Sequence, residues 1–404
     1  MSEQNIFRAL RNKNFRYFFV GQMLSVAGTW MQRVAQGWLA YRLTGSSFYL
    51  GLVSFAGSAP AFLLAPLGGI LADRFDRRRL MVWAQTLALL QAGALAILTL
   101  AGVITPASLL FLSVIQGIIN AFENPARQSF YTEMVRAEDL SNAIALNASL
   151  VNVARVVGPA VAGVLVALWG EGVCFSVNAI SFVAVIVALW LMDIEPKPRP
   201  LPKTPGLQLL REGFVFVKTK PPLRTMLANF SVFNFAGSPY LTLLPMLAVE
   251  TLHTGPSGLG WLVSASGAGA IIASLVLASR KSTDGLPSAS FAATAMGGSA
   301  LILLAISHSL PLSILMMSLV GGGYLFTLAG TQTMMQTQVP EEMRGRVMSF
   351  YSMVFLGVPP LGSLLAGTAA ERYRTPATVV TGGLICLLSA LYCARAARGN
   401  ETHA

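Results

Sequence analysis

The chain has few groups able to do chemistry, and the most suggestive lie together: Gln116, Asn120, Glu123 and Arg127 recur at i, i+4, i+7 and i+11. That spacing puts them on one face of a helix. Burial disfavours the ionised form of a carboxylate, so Glu123 in an apolar segment is a candidate proton carrier. Arg127, one turn on, acts in the opposite sense, and the pair reads either as a proton-coupling site or as a gate-stabilising salt bridge. A further cation, Arg155, falls about fifteen residues into the next apolar segment. A central arginine costs roughly 2.5–3.5 kcal/mol on insertion scales, so it is expected to face protein or a wet cavity. Its candidate partners are Glu123 and an anionic substrate, and the choice of Arg127 or Arg155 for Glu123 stays open.

Uncharged polar residues form stripes on other apolar segments. Gln22, Ser25, Thr29, Arg33 and Gln36 lie along the first; Asn234, Ser238 and Thr242 repeat the pattern later, and Thr327, Thr331 and Gln338 again. Such stripes on lipid-soluble helices argue for a water-filled interior, although a single Ser or Thr can instead bond back to its own helix. Trp30, Trp38 and Tyr41 are placed to stack on an aromatic or cationic substrate, and for Trp38 and Tyr41 anchoring at a membrane interface is the alternative.

Several chemistries are disfavoured. The three cysteines, Cys174, Cys386 and Cys393, stand in apolar runs with no C-x-x-C or Cys/His cluster, which supports neither a disulfide framework nor a metal site. The histidines (His253, His308, His403) lie in or beside loop or terminal stretches, and no phosphate-binding G-x-x-x-x-G-K-[ST] loop occurs. A membrane enzyme would need convergent nucleophile, base or metal ligands in its helices. A receptor or scaffold would leave the polar stripes without a purpose.

These residues are carried by an unusually apolar chain. Of 404 residues 54% are hydrophobic and 11% charged, where a soluble domain has about 25% charged. Segments long enough for the roughly 20 residues of a membrane helix fall at 15–41, 48–72, 79–102, 107–131, 140–168, 172–192, 223–249, 257–279, 287–307, 310–335, 346–370 and 376–396. The expected fold is therefore all-α, with twelve transmembrane helices in two six-helix bundles, 1–192 and 223–404. Between them, 193–222 is rich in proline and lysine and is expected to be a partly extended cytoplasmic linker. With the N-terminus cytoplasmic, 23 of the 28 Lys and Arg fall on that face, and both termini lie there. The net charge of +11 then faces anionic lipid and sets topology, with no nucleic-acid role implied. A shift of 204 residues lays Gly158, Ala162 and Gly163 on Gly362, Ala366 and Gly367. Such duplication recurs in secondary transporters with a central site.

Between the second and third segments runs Gly69-Ile-Leu-Ala-Asp73-Arg74-Phe75-Asp76-Arg77-Arg78-Arg79. It resembles the loop motif G-x-L-x-D-R-x-G-R-R of the major facilitator superfamily: Gly69, Asp73, Arg74, Arg77 and Arg78 match, and Asp76 replaces the second glycine. The acidic substitution and the stretch from Met335 to Arg346 are similar to the enterobactin-exporter branch. The resemblance implies that Asp73 accepts bonds from a helix end or an arginine across a cytoplasmic gate. Ala154 to Gly163, including Gly158, Pro159 and Gly163, is similar to the antiporter motif G-x-x-x-G-P-x-x-G-G, with alanine at two of its glycines. Small residues there permit close helix packing. Where proton-coupled drug exporters of the superfamily carry R-x-x-Q-G, this chain has Ser113-Val-Ile-Gln116-Gly117, so the coupling arginine is replaced by serine. The resemblance also implies that the first, fourth, seventh and tenth helices line a central cavity, which their polar stripes match.

The resulting expectation is a bacterial inner-membrane carrier that exports a small amphipathic molecule, siderophore or drug-like, by alternating access. It would work as a monomer, without a cofactor, on the proton gradient, which supplies about 2.3 kcal/mol per charge per 100 mV. Uptake by symport or uniport, and lipid flipping, are the alternatives.

Overall fold

The computed structural model describes residues 7–194 and 206–401, and among them every regular element is a helix. The helices are α1 (Lys13–Thr44), α2 (Ser47–Arg74), α3 (Arg77–Leu100), α4 (Pro106–Met134), α5 (Leu140–Trp169), α6 (Glu171–Leu191), α7 (Gly206–Thr219), α8 (Pro221–Val232), α9 (Tyr240–Met246), α10 (Pro256–Ala278), α11 (Leu286–Ile306), α12 (Leu310–Thr337), α13 (Glu341–Tyr373) and α14 (Thr375–Glu401). Eleven helical stretches among the described residues are long and apolar enough to cross a membrane. The 32-residue α1 is long enough too, but carries Lys13, Arg16, Arg33 and Arg42. Apolar side chains stand outward, as in α3, where Trp83, Leu90 and Ile97 are all more than 60% exposed at seven-residue intervals. In water that would be a liability; in lipid it is the required surface.

The chain divides into two compact units, residues 1–43 with 56–202, and 44–55 with 203–404. The opening residues of α2 therefore cluster with the second unit rather than wholly with residues 1–192. There Gly51 faces the backbone of Ser363 and Gly367, and Glu371 accepts bonds from Ser46 Oγ (3.0 Å) and the Phe48 amide (3.1 Å). That carboxylate supplies an acceptor to amides a helix start leaves unsatisfied.

Each unit repeats one packing scheme. In the first, α3 packs on α6 and α4; in the second, α11 packs on α14 and α12. These are equivalent elements under the 204-residue shift. The shift also lays Gly170 on Arg374, and both turn the chain with positive φ, 81° and 69°, beside extended ψ, 173° and 152°. Glycine adopts that conformation freely, whereas Arg374 holds it at a steric cost.

Two expectations about the elements are corrected. The 193–222 stretch is not simply an extended connector: Gly206–Thr219 is a helix, and α8 already begins at Pro221. Val217 of α7 is buried with Val347 of α13, Phe214 meets the Phe350 ring edge-on at 5.4 Å, and Glu212 bonds Arg346 at 2.6 Å. These tertiary contacts, with Gly213 set against the Arg346 backbone, outweigh the linker composition. The prolines at 196–205 lie outside the described residues. The 223–249 segment is likewise not one regular helix, because π-helical turns at Phe233–Gly237 and Leu247–Thr251 flank α9. Pro239 and Pro245 lack the amide a regular helix requires there, and the Ser238 amide reaches back to Phe233 O at 2.8 Å.

Candidate functional site

In the first unit, Glu123 projects from α4 and is 7% exposed. Its Oε1 accepts from Arg127 Nη1 at 3.2 Å and from Gln85 Nε2 of α3 at 3.1 Å. Arg127 also donates to Asn124 Oδ1 at 2.9 Å. Glu123 thus pairs with Arg127. Gln85, one of two amides in the third apolar segment, is a partner that the sequence reading did not name. On the same face, Gln116 donates to Asn120 Oδ1 at 3.0 Å. The α2 backbone approaches closely here: a Cβ on Gly68 would collide with the Ala121 carbonyl, and one on Gly117 would lie 2.9 Å from Gly57 O. Gly69, the glycine of the loop motif, faces open space instead.

A buried amide chain crosses four helices. Asn178 of α6 donates to Gln32 Oε1 (2.7 Å), Gln32 to Gln91 Oε1 of α3 (3.2 Å), and Gln91 to the Leu112 carbonyl of α4 (3.1 Å). One turn along α1, Gln36 donates to Ser113 Oγ at 2.7 Å, and Ser113 bonds back to Leu109 O. The serine that replaces the coupling arginine is therefore part of the α1–α4 contact. Gln22 is buried to 2% exposure, and the half-buried Thr29 bonds back to Ser25 O of its own helix.

Arg155 projects from α5. Its guanidinium carbon lies 5.4 Å from the centre of the Trp30 ring, and that of Arg33 lies 5.0 Å from the same ring. Trp30 thus meets two cations of the protein. Gly158, one turn from Arg155, allows this: a Cβ there would stand 2.7 Å from Trp30 Cβ and 3.0 Å from Ala27 O. Pro159 and Gly163 are buried beside it. In the second unit Gly362 sets α13 against the Phe235 backbone in the equivalent way.

The motif between α2 and α3 is an arginine clamp. Arg77 is 9% exposed, lies 3.7 Å from Asp73 and 3.2 Å from Glu133, and donates to Ser129 O at 2.8 Å. Asp73 is therefore engaged by the first residue of the following helix. Arg78 donates to the Leu189 and Trp190 carbonyls, capping the end of α6, and Arg74 is exposed. Asp76, the departure from the motif, N-caps α3 by accepting from the Arg79 amide at 2.7 Å.

In the second unit, Asn234 is fully buried at a π-turn and accepts from Tyr324 OH at 2.7 Å. Ser238 bonds back to Asn234 O at 2.5 Å, and Thr331 is fully buried. Asn234 and Thr331 are thus enclosed by the helix packing, whereas Ser238 is half-buried. Behind them Asn229 donates to Thr294 at 2.7 Å, and Thr294 meets Thr327 at 2.9 Å.

The sequence over residues 5–402 matches the family model described as transmembrane secretion effector. The chain belongs to this family of major facilitator superfamily transporters. Relatives of this transporter are similar over nearly their whole length. They include the staphyloferrin A transporter of Staphylococcus aureus (26% identical, covering 93% of this chain and 95% of the relative) and the multidrug efflux pump Tap of Mycolicibacterium fortuitum (26%, 90% and 90%). Macrolide efflux protein A of Streptococcus pyogenes is 23% identical over 94% of this chain and 95% of its own. Among solved structures, a bacterial homologue of the human lysosomal transporter Spinster, inward-facing and occupied, matches with TM-score 0.75 at 14% identity, covering 97% of each chain. That likeness shows the transporter's fold. It is a helical multi-pass membrane transporter of the efflux branch, not an enzyme.

Proposed function

We propose that this transporter exports a small amphipathic organic molecule, siderophore or drug-like, across the bacterial inner membrane in exchange for protons. In this reading α1 completes a set of twelve spans in two six-helix bundles, both termini are cytoplasmic, and a monomer without cofactor alternates access. One observation carries the coupling: Glu123 is a buried carboxylate held by both Arg127 and Gln85. Taking up a proton removes the charge that Arg127 pairs with, and an ion pair that breaks in one state and forms in another biases a two-state carrier. The relatives named for siderophore transport and for multidrug and macrolide efflux support the cargo size and direction.

One observation favours a second reading, uptake by symport or uniport: the usual coupling arginine is Ser113, held by Gln36. Direction is tested in cells lacking the gene and loaded with candidate compounds. Export predicts that these cells accumulate more compound than cells carrying it; uptake predicts less.

A further inference from the structure

We propose that a cavity at the end of α10, in the second unit, binds a phosphate group, carried by the headgroup of an anionic lipid. The cavity holds about 520 Å³ between α10, α12 and the connection from α10 to α11. Arg280, Lys281, Ser282 and Thr283 of the connection line it, with Thr333 of α12 and the apolar Leu286. Such a site is independent of the direction of transport and of Glu123.

Duplication explains why the space exists. α2 and α3 of the first unit correspond to α10 and α11 of the second. Here the shift is 206, because residues 101–105 precede α4 whereas only 307–309 precede α12. Leu71, Ala72 and Arg74 then fall on Leu277, Ala278 and Arg280, and Leu80 falls on Leu286. In the first unit the corresponding space is taken by the Arg77 side chain, held by Asp73, Glu133 and the Ser129 carbonyl. In the second unit Asp73 and Arg77 are matched by Ser279 and Thr283; Ser129 and Glu133 are matched by Thr333 and Thr337. The three charged members of the clamp have become hydroxyl side chains. A long guanidinium has become a short threonine, and a cavity stands between the equivalent helices.

The connection itself is cationic. From 279 to 285 it carries Arg280 and Lys281, both exposed, against one carboxylate, Asp284. Gly285, with φ of 66°, turns the chain back, and the Asp284 carbonyl accepts from Arg280 Nη2 at 2.6 Å. Glycine adopts that conformation freely. The Asp284 carboxylate accepts from Ser282 Oγ at 3.0 Å. α11 opens on this connection without a side-chain cap, and the amides of a helix start favour an anion. Along α10, Ile272, Leu275 and Val276 are each more than half exposed, as a lipid-facing side requires. A membrane-spanning helix ends at the level of the headgroups, so lipid phosphates lie at the depth of the cavity mouth. A lysine point charge and an arginine fork suit a phosphate. Bound there, it joins the connection to α12, as Arg77 joins α3 to α4 in the first unit.

The test uses the full chain in detergent micelles, with bound lipid counted by native mass spectrometry. The probes are dioleoylphosphatidylglycerol, dioleoylglycerol, which lacks the phosphate, and inorganic phosphate. Wild type is expected to bind the first phosphatidylglycerol about tenfold or more tighter than dioleoylglycerol. Arg280→Gln with Lys281→Gln should weaken that binding about tenfold. Thr333→Phe should weaken it by filling the cavity, with no change of charge. Lys218→Gln with Lys220→Gln removes two exposed cations of the same unit and should leave it unchanged. Phosphatidylglycerol that excess inorganic phosphate fails to displace supports the lipid as occupant; displacement keeps the phosphate site and assigns it to the free ion. Equal binding of the two lipids, binding undiminished in the Arg280, Lys281 variant or in a folded Thr333→Phe protein, or an equal loss in the Lys218, Lys220 control would overturn the proposal. Arg280 and Lys281 are exposed, so their replacement requires no repacking. Lipid binding is read without transport, so a failed export assay leaves this site standing, and a failed lipid assay leaves the export reading standing.

Discussion

At the residue scale, several buried charges among the described residues are held in small closed groups, and removing one member should show in stability or in transport according to the group. Arg77 is gripped by Glu133, Asp73 and backbone carbonyls at the start of α3. Glu133→Gln leaves that buried cation undercompensated and is expected to lower stability by about 3 kcal/mol, read as a fall in the unfolding midpoint in detergent. Glu123 is held as closely, by Arg127 and Gln85, yet its proposed role is to change charge. Glu123→Gln keeps shape and loses the charge, so it should spare cargo binding and abolish pH-driven movement. The i, i+4 spacing made Arg127 one of two candidate partners for Glu123, with Arg155 the other, and the structure pairs it with Arg127. Gln85 was not legible, because nothing in a single sequence says which third-helix residue lies opposite position 123. The Trp30 pairing with two arginines was missed for the same reason. An aromatic and a cation three residues apart are visible, but the third member comes from α5, over a hundred residues away.

At the element scale, helix starts and turns explain the departures from the family pattern. Asp76 stands where the motif has glycine and caps α3. Alanine there should cost about 1 kcal/mol and glycine only a few tenths, so Asp76→Ala should lower the unfolding midpoint and Asp76→Gly barely move it. Arg374, equivalent to Gly170, holds a backbone conformation that is nearly glycine-only and costs on the order of 1–3 kcal/mol. Arg374→Gly is expected to raise the unfolding midpoint despite the larger chain entropy of glycine; a fall would show that the arginine side chain contributes more than the turn costs. The long helices were legible from composition, since an apolar run of twenty residues has few other fates. The α7 helix was not, because the proline and lysine of 193–205 dominate the stretch while Phe214, Val217 and Glu212 find their reasons on α13. The π-turns were also hidden: Pro239 and Pro245 announce a disturbance, but the bulge at Asn234 follows from packing around Gly237, where a Cβ would strike the Phe233 ring.

At the scale of the whole molecule, duplication is written in repeated turns, in repeated glycine contacts at Gly158 and Gly362, and in the α3–α6 and α11–α14 pairs. Such a scaffold is proposed to couple proton entry to cargo exit through Glu123. The direct measurement is movement of a confirmed substrate in proteoliposomes under an imposed pH gradient, comparing wild type with Glu123→Gln. Wild type is expected to accumulate the substrate against its own gradient while protons move the other way. In the variant that accumulation is lost, while substrate binding and passive exchange persist. Movement indifferent to the pH gradient in wild type, or gradient-driven accumulation undiminished in Glu123→Gln, would contradict that coupling.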